Sequence, residues 1–213
     1  MTGNERIAEY GAESQLLAGD YIGQCIYFYD IEMNLLRTQA LGYTPIGIAT
    51  WGENIAVVEH NSMTVHLYDL EFTTHIQYLL GVMAYDIKRF LNHWYVIANT
   101  ASTLTVYTLD FRIVATYNLG YNPTIITTFE DNIIIRDCIG LRFVFYDREM
   151  NILRTIPSPD GDRSITRWHD NLIVSRQGAP RLNFYDLEWN LVRSETFINI
   201  ANCIHTRHFN TEY

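Results

Sequence analysis

Apolar residues fall along this chain in short runs that alternate with turn formers, and none shows a 3.6-residue period. Residues 45–79 illustrate the pattern. PIGIATW is a β-branched run followed by the turn formers GEN, and IAVVEH is a second run closed by NS. MTVHLYD follows, then LEFT as a turn, then HIQYLL. Runs of five to seven residues bounded by Gly, Asn, Asp and Pro predict four consecutive antiparallel strands and no helix.

The same pattern returns five times. FYDIEMNLLRT at 28–38, LYDLEFTTHIQ at 67–77, VYTLDFRIVAT at 106–116, FYDREMNILRT at 145–155 and FYDLEWNLVRS at 184–194 place Tyr29, Tyr68, Tyr107, Tyr146 and Tyr185 at a constant step of 39 residues. The acids Glu32, Glu71, Asp110, Glu149 and Glu188 keep that step, as do the large apolar residues Met33, Phe72, Phe111, Met150 and Trp189. Upstream, Ile48, Ile87, Ile126, Ile165 and Ile204 form a further column. A four-stranded sheet of about 40 residues cannot bury both faces alone, and stacking such sheets around an axis buries them. The expected fold is all-β: a closed five-bladed β-propeller of five 39-residue, four-stranded repeats. It occupies 1–213 as a single domain, with 1–13 as an N-terminal tail.

Six segments compete for five first-strand places: 7–12, 46–51, 85–90, 124–129, 163–168 and 202–209. The isoleucine column decides between the two ends, because Ile204 keeps it and Glu9 does not. Asn54, Asn132, Asn171 and Asn210 agree in step. The C-terminal segment 202–213 is therefore expected to supply the closing strand of the first blade, beside residues 15–21, which removes an exposed edge.

The segment PIGIATWGENIAVVEHNSMTVHLYDLE at 45–71, with FYDIEMNLLRT at 28–38, resembles the NHL-type repeat and other short-blade propellers. The likeness lies in a Pro-led first strand, a second strand ending in an acid, and a third strand closing on an aromatic-aromatic-Asp turn. The residue after that turn departs from the family's glycine and is Met33, Phe72, Phe111, Met150 or Trp189. The resemblance implies a fold and no particular activity.

Composition narrows the function. Fifteen Lys+Arg against 24 Asp+Glu leave a net charge of −9 with no basic run, so nucleic acid is not an expected partner. The 48 % hydrophobic and 18 % charged composition excludes a disordered chain. Cys25, Cys138 and Cys203 are far apart and form no C-x-x-C, which fits small buried thiols in a reducing compartment. MTGNERIAEYG carries charges and no apolar run, so no secretory signal is expected, and no run approaches a membrane span. A soluble cytoplasmic or otherwise intracellular protein is expected.

No catalytic motif occurs, and no enzyme, cofactor or metal site is expected. His205 and His208 sit three apart on an expected strand and so face opposite sides. Asp30, Asp69, Asp147 and Asp186 read as side chains that close their own hairpins, and the adjoining glutamates as partners of Arg37, Arg154 and Arg193. Asp20, Glu59 and Asp137 read as caps at the ends of second strands. What varies between units points elsewhere. The turns between second and third strands share one face with the blade-to-blade connections, and these segments are low in charge and carry tyrosine. Tyr21, Tyr43, His60 and Tyr121 are the candidate partner-binding residues of that face. The expected function is a non-enzymatic protein-interaction or structural module, or a subunit of a larger assembly. A lectin-like propeller binding glycans or small ligands is the first alternative. A hydrolase or lyase with a central site is the second.

Overall fold

The structure is a computed structural model that describes residues 15–30, 32–129, 131–158, 162–168, 171–176, 181–186, 189–196 and 201–207. The expected tail 1–13, Glu188, His208 and Asn210 lie outside them.

The first blade begins with β1 (Gln15–Asp20), β2 (Cys25–Tyr29) and β3 (Leu35–Ala40). The second holds β4 (Pro45–Trp51), β5 (Asn54–Glu59), β6 (Thr64–Asp69) and β7 (His75–Leu79). The third holds β8 (Asp86–Phe90), β9 (His93–Ala98), β10 (Thr103–Tyr107) and β11 (Ile113–Asn118). The fourth holds β12 (Pro123–Phe129), β13 (Asn132–Asp137), β14 (Arg142–Tyr146) and β15 (Ile152–Pro157). The fifth holds β16 (Asp162–Trp168), β17 (Asn171–Arg176), β18 (Arg181–Tyr185) and β19 (Leu191–Thr196), and β20 (Ala201–Arg207) follows. Each blade is a four-stranded antiparallel sheet, and the first has the order β20-β1-β2-β3. Leu17 lies opposite His205 and Ala18 opposite Ile204, so the C-terminal strand closes the first blade as expected. The inner strands β4, β8, β12, β16 and β20 contact one another in turn around the axis. The architecture is a closed five-bladed β-propeller.

Five apolar layers hold neighbouring blades together. Leu17, Ile26 and Phe28 of the first blade meet Ile48, Ile55 and Val57 of the second. Ile173 and Phe184 of the fifth meet Leu16, Ala18 and Tyr29 of the first, which closes the ring by packing as well as by pairing. Strand alternation sends Phe28 to one layer and Tyr29 to the other. The five-fold tyrosine packs against the preceding blade in every unit: Tyr29, Tyr68, Tyr107 and Tyr146 are buried, and Tyr185 is half-buried.

The hairpin between third and fourth strands explains the missing glycine. Met33, Phe72, Phe111, Met150 and Trp189 all have φ between 57° and 71°. Their amides donate to the carbonyls of Asp30, Asp69, Thr108, Asp147 and Asp186, and a register shift lies alongside in four of the five blades. This is a turn ending in a left-handed residue, where glycine is the low-cost choice. Here the large side chain is kept because it fills the layer between blades: Phe72 meets Phe28 edge-on at 6.1 Å, and Trp189 meets Phe143 at 4.9 Å.

One expectation about charge and one about the cysteines are corrected. Arg37 does not cross its own hairpin to Glu32. It stacks on Phe28 at 4.2 Å and reaches the next blade, donating to the Leu70 carbonyl and lying 3.7 Å from Glu71. Arg154 likewise stacks on Phe145, and Arg193 stacks on Phe184, its expected partner Glu188 lying outside the described residues. A planar guanidinium stacks on an aromatic face and keeps its edge free for polar contacts, so Arg37 and Arg193 still lie 3.7 Å and 3.5 Å from Glu71 and Glu195. Cys25 is buried, with its thiol pushed up by burial, but Cys138 is only half-buried.

Candidate functional site: the loop face

Third strands of five or six residues separate the two faces of the ring by about 17–20 Å. One face carries the hairpins. There Asp30 accepts from the Asn34 amide at 2.8 Å and from its side chain at 2.9 Å, and Asp147 with Asn151 and Asp186 with Asn190 repeat the arrangement. Thr73 takes the asparagine's part beside Asp69. In the third blade Thr108 replaces the aspartate, and its hydroxyl accepts from the Arg112 amide. These bonds hold Asp30, Asp69 and Asp147 below the usual carboxylate range, so the face stays anionic.

The opposite face is built from the β1–β2, β5–β6, β9–β10 and β13–β14 turns and the blade connections. Among the described residues, its strand-end aspartates are turned inward. Asp20 is buried, accepting from the amides of Ile22 and Gly23 and from the Tyr27 hydroxyl. Asp137 accepts from the Gly140 amide and from Arg142. Both cap the following turn, as expected. With the carboxylates occupied, the turn tips present Ile22, 81 % exposed, and Ile139, 77 % exposed.

The structure brings two of the four candidate residues together. The Tyr21 hydroxyl lies 3.2 Å from His60 Nδ1, with the rings edge-on at 4.9 Å. They come from adjacent blades one repeat apart, so the contact bridges the first and second units at the surface. Tyr43 and Tyr121 sit deeper. The Tyr43 hydroxyl is 3.0 Å from that of Tyr68, and the Tyr121 hydroxyl is 2.7 Å from that of Tyr146. Each connection tyrosine thus meets the five-fold tyrosine of the blade it enters, and burial pushes the Tyr121 phenol well above its ordinary range.

Beside His60 lies a cavity of about 130 Å³ between the second and third blades, lined by Ile46, His60, Asn61, Met83, Ala84, Tyr85, Asn99 and Thr100. None of these carries a formal charge. Asn99 donates to the Pro123 carbonyl at 3.3 Å, which ties this rim to the fourth blade.

Periodicity does not reveal a second cluster, because it occurs in the second blade alone. His66 Nε2 is 3.1 Å from Glu59, and His66 Nδ1 is 2.8 Å from His75 Nε2. Glu59, expected as a strand-end cap, is here the end of a hydrogen-bonded chain. Tyr43 stacks on His66 at 4.0 Å and Tyr68 on His75 at 4.6 Å. Burial holds His66 below the ordinary histidine range, against the pull of Glu59. The neutral ring therefore donates from Nε2 to the carboxylate and accepts at Nδ1 from His75. The groups follow one another in line; among the described residues no three His, Cys, Asp or Glu side chains converge as metal ligands. The signal was the replacement, in one unit only, of Tyr27, Thr105, Val144 and Asn183 by His66.

Near the axis Asp86 is fully buried, accepting from the amides of Ile87 at 2.8 Å and Ile126 at 2.9 Å. Lys88 donates to the Ile48 carbonyl at 3.2 Å, so these two side chains of β8 join the second, third and fourth blades. Burial pushes the Asp86 carboxyl up to about 6, with Lys88 acting in the other direction. Among the described residues no helix is long and apolar enough to cross a membrane.

No protein-family model matches the chain, and no curated protein does. Solved structures do. A protein of unknown function from Bacteroides caccae aligns over 92 % of this chain and 99 % of its own, with a TM-score of 0.65 at 12 % identity. A chain of the nidogen/laminin complex aligns over 89 % and 83 %, with a TM-score of 0.61 at 17 % identity. Glutaminyl cyclase from Myxococcus xanthus aligns over 80 % and 83 %, with a TM-score of 0.64 at 11 % identity. At these identities the likeness is one of β-propeller fold, shared by an enzyme and by a component of a protein complex alike.

Proposed function

We propose that this propeller is a non-enzymatic protein-interaction module that engages its partner through the loop face, around Tyr21 and His60, with Tyr43 and Tyr121 as the rigid supports of that face. The observation that carries the reading is the difference between the two ends of the ring. Covering the hairpin face would desolvate Asp30, Asp69, Asp147 and the glutamates beside them, each needing a cation opposite. Covering the loop face buries Ile22, Tyr21 and uncharged turns, because Asp20 and Asp137 already have their partners. The nidogen/laminin neighbour is a propeller found in a protein complex, which supports this use of the fold.

Site-specific photo-crosslinking in cells of the organism that makes the protein tests the reading. A photoreactive residue at Ile22, Asn61 or Thr100 should give one discrete heavier species. The same residue at Glu32, Glu71 or Glu149 should give none. Adducts only from the glutamate positions would assign the interface to the hairpin face. Adducts from neither, together with saturable binding to a glycan array, would favour the lectin-like alternative.

A further inference from the structure

The cavity between the second and third blades deepens the reading above and rests on it. We propose that it is a socket for a single branched or aromatic apolar side chain, presented by an extended segment of the partner protein.

The socket exists because the repeat is broken there. The connection entering the second blade is Gly42-Tyr43-Thr44-Pro45, and that entering the fourth is Gly120-Tyr121-Asn122-Pro123. The connection entering the third is Gly81-Val82-Met83-Ala84. In the second and fourth blades the connection tyrosine extends to the five-fold tyrosine, hydroxyl to hydroxyl. In the third, Val82 packs into the layer between blades, and the Tyr107 hydroxyl donates instead to the Leu80 carbonyl at 3.4 Å. The connection thus carries an aliphatic side chain in place of a phenol and a methyl group in place of a pyrrolidine ring. A cavity opens at this place, with Met83 and Ala84 in its wall.

Its size and lining select the occupant. A volume of about 130 Å³ is comparable to the ~150 Å³ apolar cavity that accepts one benzene. Ile46, Met83 and Ala84 supply the aliphatic part of the lining, while His60, Asn61, Tyr85, Asn99 and Thr100 supply its polar groups. A peptide sets an apolar side chain against the aliphatic residues and its backbone amides against the polar ones. There the Asn99 carboxamide, held by its nitrogen on the Pro123 carbonyl, serves as acceptor through its oxygen. Solvent-exposed Met83 suits this use, since an unbranched thioether adapts to differently shaped side chains.

The test titrates the full chain, labelled at methionine and alanine methyl groups, by NMR. The probes are N-acetyl-L-leucinamide and N-acetyl-L-phenylalaninamide. N-acetylglycinamide is the control without a side chain, and methyl N-acetylglucosaminide the sugar. Saturable shifts of the Met83 and Ala84 methyls are expected from the first two, with Kd on the order of 1–10 mM, and at least ~10-fold weaker binding from the other two. The double variant Val82→Tyr, Ala84→Pro restores the connection used by two other blades and should abolish the response. Thr100→Trp, at an exposed rim position, blocks the socket without touching the core should the double variant fold poorly. Absence of saturable shifts, or an equal response to glycinamide or to the glycoside, overturns the proposal. Because the titration needs no partner, its failure alongside persistent crosslinking from Ile22 removes the socket and leaves the loop-face reading standing. Saturable leucinamide binding with crosslinks only from the hairpin face overturns that reading instead.

Discussion

Phe111 shows two opposing costs at a single residue. Its φ of 59° is one that only glycine adopts freely, yet its ring lies in the layer between blades, stacked on Trp94 at 5.7 Å and against Tyr78 at 4.4 Å. Phe111→Ala keeps the backbone cost and loses the packing, and should destabilise by about 2–4 kcal/mol in denaturant titration. Phe111→Gly loses the same packing but relieves the backbone, so it should be milder by about 1 kcal/mol. The reverse order would show that the left-handed turn carries no cost here. Gly47 gives a second test, because a Cβ there would stand 2.8 Å from Asp86 Oδ1 and 2.9 Å from Asp86 Cα. Gly47→Ala should lower stability by about 1–3 kcal/mol, through crowding of a buried carboxylate rather than through backbone freedom.

Asp86 also sets a pH dependence. Its folded-state carboxyl, raised to about 6, binds a proton more tightly than the unfolded chain does, at the ordinary value near 4. Stability should therefore rise as pH falls from about 7 to 4, by up to about 1.4 kcal/mol per pH unit through that window. The hairpin aspartates, depressed below the ordinary range, act in the opposite sense, and their contribution is lost only at lower pH. Asp86→Asn should flatten the rise of Tm between pH 7 and 5. An unchanged slope would place the titrating group elsewhere.

Among the elements, β20 is the one on which closure depends. It supplies the inner strand of the first blade and packs against β4 and β16 on either side. A chain ending at residue 200 should lose its cooperative unfolding transition by circular dichroism, since it exposes β1 as an inner edge and opens the layers on both sides. Retention of a sharp transition would mean that four and three-quarter blades suffice. This closure was readable because Ile204 keeps a column that Glu9 breaks. The hairpins were readable for the same reason: turn geometry recurs at a constant step. What the repeat does not encode lay beyond periodicity. His66 and His75 pair on a diagonal between strands, and Tyr21 reaches His60 across blades. Each depends on where one side chain turns in one blade. The available clue was the broken column, as at Val82 and Ala84, and a break marks a place without saying what fills it.

At the scale of the whole molecule, the described residues give an anionic hairpin end and a loop end whose Asp20 and Asp137 are buried and already paired. Tyr121→Phe and Tyr43→Phe should each cost about 1 kcal/mol of stability, by removing a half-buried hydroxyl from its pair, while leaving the loop tips in place. They are therefore weak probes of binding, and the surface pair is the informative one. The most direct measurement is the affinity of the crosslinked partner, once purified, for two double variants: Tyr21→Ala with His60→Ala, and Asp147→Asn with Glu149→Gln. A loop-face interface predicts at least ~10-fold weaker binding for the first, no change for the second, and little response to salt. Unchanged affinity for the tyrosine–histidine variant, with loss of binding for the carboxylate variant or on raising salt alone, would contradict it.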